Sequence, residues 1–537
     1  MKPVNLSPKE ICKRIESLKS ERSNWEYHWQ ELADYIMPNR NDIARTVTQG
    51  QKRNVQLLDN TAMQANELLA GALHGLLTNP NAEWFELTTG NPEIDALDLV
   101  RKWLQKTTTK IHHVMNNSNF QTEVHQNYLD LCCIGTACMS IEEDDEDVIR
   151  YSAKHIKEFF ISENHKGKID EVYREFEWNA RQIIGEFGEK AVTEAVMKAY
   201  TKNEDKKFKI IHAVYPRKID GLAPKTFRFA SKYILKEDEH ELMESGFREF
   251  PYVVPRWTKA SGETYGRSPG MNALPDAKTL NVMTETTLKG AQKTVDPPLQ
   301  LPDDGFIMPI VTKPGGLNYY RAGSNDRITA VFNDARVDFG FQAMSDRRQR
   351  IRESFYVDQL QMGAEGPQMT ATEVLQRTEE KTRLLGPMLG RQQSEFLRPL
   401  IDRTFEVMLR KNLIEQPPDA LQGSVVDVQY SSMIAKSQKV NVGQNIARTV
   451  QAATPFIQMD QSIMDNFNGD QILRELAGIY GFPQTGLNDQ DKVQEIRDAR
   501  AKAQQEAVKA AQEQHQAEMI QKAGPTVSKM GEQEQGA

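Results

Sequence analysis

Apolar positions recur at helical spacing from the start of the chain. Ile11, Ile15, Leu18, Trp25, Trp29, Leu32 and Ile36 lie three, four or seven residues apart, which places them on one stripe of a helix. Ser7-Pro8-Lys9-Glu10 opens that helix as a capping box with proline at its first position, and Pro38 stops it. Asp59-Asn60-Thr61 caps a second helix, carried by Met63, Leu68, Leu73 and Leu76 and ended by Thr78-Asn79-Pro80. Two more helices are expected at residues 98–115 and 122–131. The period then changes to two. Residues 137–141 and 148–151 read as short strands around the run Glu142-Glu143-Asp144-Asp145-Glu146-Asp147. Consecutive side chains on an extended segment alternate sides and do not converge on a metal, so this run reads as a solvated hairpin tip. Val172, Arg174, Phe176 and Trp178 alternate with Tyr173, Glu175 and Glu177; Phe208, Ile210, His212 and Val214 do the same, and 227–235 is a further strand.

Residues 251–281 carry the most information. An extended apolar segment broken by prolines passes through a Gly/Ser turn and becomes a helix at Ser268-Pro269, where the serine hydroxyl caps an N–H and proline has none to leave unpaired. That helix spans 268–293, with Leu274, Leu280, Val282 or Met283, and Leu288 as a weak apolar set. A turn-rich insertion follows, rich in proline and glycine but holding Phe306-Ile307 and Leu317-Asn318-Tyr319-Tyr320. A second helix covers 333–361 on Val337, Phe341, Met344, Ile351 and Phe355. After the break Met362-Gly363-Ala364-Glu365-Gly366-Pro367-Gln368, Thr370 and Glu373 restart a helix that reaches 413, with Gly386-Pro387 and Pro399 as kinks. A strand at 425–433 precedes a helical remainder rich in Gln, Ala, Glu and Lys, which Gly524-Pro525 ends.

Composition narrows the function. The 537 residues carry a formal net charge of −8, which excludes a generally basic nucleic-acid binder. The chain is long enough for several domains or one elongated subunit. Residues 1–14 are polar with four basic side chains, unlike a secretory leader, and no run approaches a membrane span. Cys12, Cys132, Cys133 and Cys138 lack the paired spacing of a zinc site and read as buried thiols. The string Gly262-Glu-Thr-Tyr-Gly266-Arg-Ser has three residues between its glycines and Arg in place of Lys, so it fails as a phosphate loop. No hydrolase motif is present; His112-His113 with His125 suits ordinary helix positions, and no cofactor or metal is implied. Arg347-Arg348-Gln349-Arg350-Ile351-Arg352 is the densest basic run, yet consecutive helical residues fan out by about 100°, so it reads as inter-subunit ion pairs and a solvated face, or as contacts to DNA or a docking protein.

Arg256-Trp257, Tyr265-Gly266-Arg267-Ser268-Pro269, the string M-T-A-T-E-V at 369–374, and the pattern Arg22, Trp25, Leu32, Tyr35, Pro38 followed by E-L-L-A-G-A-L-H-G-L-L-T-N-P resemble the portal (head-to-tail connector) proteins of short-tailed, podovirus-type phages. The residues supply a helix–insert–helix pattern; the resemblance supplies its names. It implies a mainly helical α+β subunit with an α/β wing at 1–267, stem helices at 268–293 and 333–361, and a small α/β clip at 294–332. It further implies a tunnel loop at 362–369, a kinked wing helix with its returning strand at 370–436, a helical crown at 437–523 and a disordered tail at 524–537. Such subunits form a dodecameric ring at one capsid vertex of the virion, assembled in the bacterial cytoplasm without a membrane. The ring packages, retains and ejects double-stranded DNA, and meets the terminase large subunit, the tail adaptor, and the major capsid and scaffolding proteins. Candidate sites are the tunnel loop Met362 to Gln368, stem residues Arg347, Arg348, Arg350 and Arg352, and a clip docking surface of Lys313, Tyr319, Tyr320, Arg321 and Arg327. The alternatives are a packaging ATPase or nuclease, and an internal virion or scaffolding protein.

Overall fold

A computed structural model describes residues 5–48, 50–53, 57–95, 97–217, 221, 223–300, 311, 317, 319, 329–330, 337–361, 386, 388–421, 427–430, 433–480, 482, 486–488 and 490–531. They fall into two compact units, one of Met1–Phe85 with Thr109–Ile414 and one of Glu86–Thr108 with Glu415–Ala537. The architecture is mainly helical α+β, as the periodicities imply.

In the first unit, α1 (Pro8–Ile36) begins with the expected capping box: the Ser7 N–H donates to Glu10 Oε2 at 2.8 Å while the Glu10 N–H donates to Ser7 Oγ at 3.4 Å. The buried face of α2 (Thr61–Leu77) is Ala62, Ala65, Leu69, Ala70, Leu73 and Leu77, whereas Leu68 and Leu76 are exposed. Of the expected stripe Leu73 is buried but Leu68 and Leu76 are not, because alanines allow close helix approach and an apolar count favours the larger leucines. Helix α3 (Phe120–Ile134) ends at Gly135, whose φ of +89° is a left-handed cap.

The hairpin β1 (Cys138–Asp144) and β2 (Val148–Lys154) follows. Then come β3 (Phe159–Glu163), β4 (Ile169–Asn179), the helices α4 (Ala180–Phe187) and α5 (Glu194–Lys202), β5 (Lys207–Pro216), β6 (Phe229–Leu235), β7 (His240–Phe247) and β8 (Tyr252–Val253). One antiparallel sheet has the order β3-β4-β5-β6-β7 and a second the order β2-β1-β8. Strand alternation decides what covers the larger sheet. Tyr173, Ile211, Ala213 and Tyr215 pack with Ile11, Ile15 and Leu18 of α1. Phe208 and Ile210, of opposite parity on β5, pack with Ile183 and Val196 of α4 and α5. These two short helices were not read in the sequence, although an Asn179–Gln182 capping box starts the first.

The acidic run forms the expected hairpin tip, but it is not wholly solvated. Arg410 Nη2 reaches Glu143 Oε1 at 2.7 Å, and the Lys411 ammonium donates to the Asp144 carbonyl. Both cations stand at the C-terminal end of a helix whose carbonyls favour positive charge.

In the second unit, Trp103 Nε1 donates to the Glu415 carbonyl at 2.9 Å and Arg474 pairs with Asp98 at 2.6 Å. Helices run Met433–Met459, Gly469–Ile479 and Gln490–Gly531. The last continues through Gly524-Pro525, where the sequence suggests an end; proline removes only one backbone bond from a segment of good helix formers.

Two buried titratable groups near the end of α1 oppose each other. Asp130, paired with Arg40 at 2.5 Å, is pushed up to about 6 by burial, which the Arg40 cation only partly offsets. Burial, aided by Arg40, lowers His155 to about 4. The folded state thus holds fewer protons at His155 than the unfolded chain between about pH 6.5 and 4, so this group loses stability on acidification. At Asp130 the folded state holds more protons between about pH 6 and 4, so stability rises as pH falls. Asp130→Asn removes the second contribution. Its urea midpoint is expected to fall more steeply than the parent's on acidification through that window; parallel profiles would refute the assignment.

Candidate functional site: a helix pair and its anchor

The segment preceding the helix pair is locked against the end of α3. The Gly266 N–H donates to the buried Thr136 Oγ1 at 2.7 Å. A Cβ at Gly266 would lie 2.2 Å from the Gly135 carbonyl oxygen, and one at Gly135 would lie 2.6 Å from that of Gly266. Ser268 Oγ accepts from the Met271 N–H at 3.0 Å and donates to the Cys133 carbonyl at 2.6 Å, which starts α6 (Pro269–Val295). Tyr265 is buried edge-on against Trp29, with ring centroids 5.0 Å apart, and lies 6.1 Å from Trp25. Arg22 donates to the Ile156 and Phe159 carbonyls at 2.9 and 2.6 Å, with its guanidinium 3.9 Å from the Phe160 ring centre. The N-terminal Arg/Trp pattern and the Tyr-Gly-Arg-Ser-Pro string therefore meet in space. With its N–H already bonded, Gly266 offers nothing to a phosphate.

After α6, Leu299–Gln300 pairs antiparallel with Thr329–Ala330, and α7 (Val337–Ser354) packs back on α6. Thr284 Oγ1 donates to Met344 Sδ at 3.4 Å, and Gly340 approaches Thr287 so closely that a Cβ would lie 2.8 Å from its Oγ1. Leu274, Leu280, Met344, Ile351 and Phe355 are buried as their spacing implies, but the seam is small and partly polar, and Val282, Leu288 and Phe341 of the expected stripes are exposed, as is Phe339. The second helix also stops earlier than expected, at Ser354, and a short helix resumes at Val357–Gln361. Between them Tyr356 has φ +58°, flanked by the buried Phe355 and Val357.

The structure divides the basic run. Arg347 pairs with Asp276 at 2.6 Å, and Arg348 pairs with Asp59 at 2.8 Å. Burial works against the Asp59 charge, but bonds from Thr61 and Arg348 hold its carboxyl below the usual range. Arg350 and Arg352 are exposed and make no ion pair among the described residues. Tyr319 is exposed, while Lys313, Tyr320, Arg321 and Arg327 lie outside the described residues, as does the whole loop candidate Met362 to Gln368.

Sequence reasoning missed the role of Arg256. This buried side chain binds Glu395 with Nε at 3.0 Å and Nη2 at 2.8 Å, meets the Gly167 and Thr264 carbonyls at 3.1 and 3.2 Å, and pairs with Glu163. Glu395 sits in a π-turn, Gln393–Leu397, just before α8 (Arg398–Arg410). Pro399 marks the place, because it cannot donate the N–H that a regular helix would give to the Glu395 carbonyl. Only that proline marks the irregularity along the sequence, and nothing there marks the partners of Arg256.

No converging set of three metal-ligating side chains occurs among the described residues. His125 lies beside His74, with ring centroids 5.9 Å apart, whereas His112 stacks on Phe85. Cys132, Cys133 and Cys138 are buried thiols, with Cys138 pushed up to about 12 by burial. No helix among the described residues is long and apolar enough to cross a membrane.

The profile of the bacteriophage head to tail connecting protein family matches residues 8–487. The chain belongs to this family. A relative named probable portal protein, from Bordetella phage BPP-1, is 32% identical over 533 residues, covering 97% of this chain and 95% of the relative. The portal protein of Salmonella phage epsilon15 is 30% identical over 510 residues, covering 93% and 92%. Among solved structures, a chain from the neck of an empty GTA particle overlaps 72% of this chain and 86% of its own, at TM-score 0.37 and 9% identity. A chain from a native gene transfer agent virion overlaps 78% and 95%, at TM-score 0.33 and 10% identity. The family assignment rests on the sequence relatives, and within this connector the helix pair and its anchor are the parts laid out above.

Two pairs of substitutions probe that layout. Gly266→Ala drives a methyl into the Gly135 carbonyl and should cost about 3 kcal/mol or more, whereas Gly290→Ala, in open space within α6, should be neutral or gain up to about 1 kcal/mol. Equilibrium urea unfolding measures both, and equal effects would refute the close approach. Arg348→Ala strands the nearly buried Asp59 carboxylate and should cost about 1–2 kcal/mol, against under about 0.5 kcal/mol for Arg350→Ala in the same measurement.

Proposed function

We propose that this head-to-tail connector is a portal subunit, which assembles with copies of itself into a ring-shaped channel at one capsid vertex. The observation that carries the reading is the family match across residues 8–487, and near full-length relatives named portal proteins support it. In this reading the ring is a dodecamer in the virion, put together in the host bacterial cytoplasm, and duplex DNA moves through it without sequence specificity. The terminase large subunit, the tail adaptor, and the capsid and scaffolding proteins dock on it. The α6–α7 pair is the stem, with the insertion between its helices as the clip.

The chain acts in this scheme as a structural conduit and not as an enzyme. A net charge of −8 suits a channel that must let DNA slide, because every phosphate neutralised adds affinity through counterion release. Within the basic run, Arg350 and Arg352, exposed on α7 and without an ion pair among the described residues, are the cations left for a neighbouring subunit or for DNA.

Negative-stain microscopy with light scattering tests the reading. Rings with an axial opening are expected, whereas compact particles with the mass of a 61.2 kDa monomer at micromolar concentration would overturn it. The segment Met362 to Gln368 carries one carboxylate, Glu365, and no cation, so as a tunnel loop it grips or gates sterically and does not bind phosphate. Deleting Ala364 to Gly366 should leave rings intact while particles fill incompletely or lose DNA. Full-length genome retained at the parental level would reduce the segment to a connector.

A further inference from the structure

Arg256 and Trp257 are neighbours in sequence, and each holds one of two irregular points in the helices that follow. The Arg256 guanidinium grips Glu395 through two nitrogens, its own N–H donates to the same carboxylate at 3.1 Å, and its carbonyl accepts from Gln392 Nε2 at 2.9 Å. Both partners belong to the π-turn or the residue just before it. Trp257 is 4% exposed and stacks on Tyr356, with centroids 6.4 Å apart and planes 29° apart. Tyr356 has the left-handed backbone that breaks α7 from the short helix beyond it, a conformation that is strained for a bulky residue and persists only where its surroundings impose it. Trp257 is itself fixed, since its N–H donates to the Gly135 carbonyl at 2.9 Å.

A π-turn holds one residue more than regular helix, so annealing it turns one side against the other by about 100° and shifts it by about 1.5 Å. Here the downstream side cannot move freely. Thr404 bonds the buried Tyr151 hydroxyl at 2.9 Å, and Arg403 and Arg410 hold Glu249 at 2.5 and 2.9 Å. The displacement therefore falls upstream, on Met388 to Gln392.

We propose that Arg256-Trp257 is a two-point clamp that ties the helix break at Tyr356 to the π-turn at Gln393–Leu397, so that loosening one loosens the other. A rigid dipeptide anchored on Gly135 transmits the change: tilting Trp257 off Tyr356 turns the Arg256 backbone, whose N–H ends on the π-turn and whose carbonyl ends on the residue just before it. Arg256 and Trp257 are positioning residues in this scheme. The coupling is a property of one subunit's fold and stands whether or not the ring reading does.

Hydrogen exchange on the full-length protein tests it, with Trp257→Ala and the near-isosteric Glu395→Gln compared with the parent. Each variant should speed amide exchange by about tenfold or more at both places, residues 357–361 and residues 391–397. The conservative Trp257→Phe, which keeps a ring on Tyr356, should restore the parental pattern at both. Faster exchange confined to the side of each altered contact overturns the coupling. So does loss of the folded state in Glu395→Gln and Trp257→Phe alike, because that would make the dipeptide a strut of the whole unit and not a clamp between two points.

Discussion

The approach of one backbone to another at Gly135 and Gly266 is the constraint from which the rest of the first unit follows. Neither position has room for a β-carbon, so the turn after α3 and the turn before α6 share one volume. Thr136 bonds across this contact, and Ser268 bonds back to Cys133 while it caps α6. The direction in which the long helix leaves is thereby set before any of its own side chains packs. Tyr265, one residue upstream, is driven into the aromatic face of α1, and Trp257, just across the turn, is bonded to Gly135 and reaches the end of α7. Three helices distant in sequence take their directions from a contact between two glycines.

Electrostatics then fixes what packing leaves free. Buried arginines recur at the joints: Arg22 between α1 and β3, Arg256 between the pre-helix turn and the π-turn, Arg403 between α8 and the segment after β7. Arg22 and Arg256 each bond several partners, and the planar fork with its fixed donors makes such joints directional in a way that apolar contacts are not. Burial of unpaired charge would be costly, so each joint is stable only with its partners in place.

Legibility tracked how a residue signals its role. Capping boxes and proline starts have a local mechanism, so the beginnings of α1 and α6 could be read directly. Strand alternation was equally plain, because His212 and Arg174 hold the period even though they are charged or polar in isolation. Where packing uses small or polar residues, the reading failed. The alanine face of α2 and the Thr284–Gly340 seam are nearly invisible to an apolar count, which drew attention to Leu68, Leu288 and Phe341 on the open sides. Ion pairs were least accessible: nothing along the chain distinguishes Arg348, which meets Asp59 across 289 residues of sequence, from Arg350 two positions later. The partners of Arg256 were hidden for the same reason, since Glu163 and Glu395 carry no sequence mark of their convergence.

The polar seam between α6 and α7 has a mechanical side. Close to their shared root the two helices are gripped by Leu274, Leu280, Ile351 and Phe355, all buried, whereas farther out they meet through threonine, glycine and methionine and turn exposed apolar side chains outward. Such a pair behaves as a cantilever, built in at one end and weakly braced over the outer part of its first helix, which is about 40 Å long in all. A small rotation at the root is magnified in proportion to distance along the beam, and bending stiffness at the tip has to come from whatever lies beside it. The residues that decide how far the tip swings are therefore the glycines and the serine at its base.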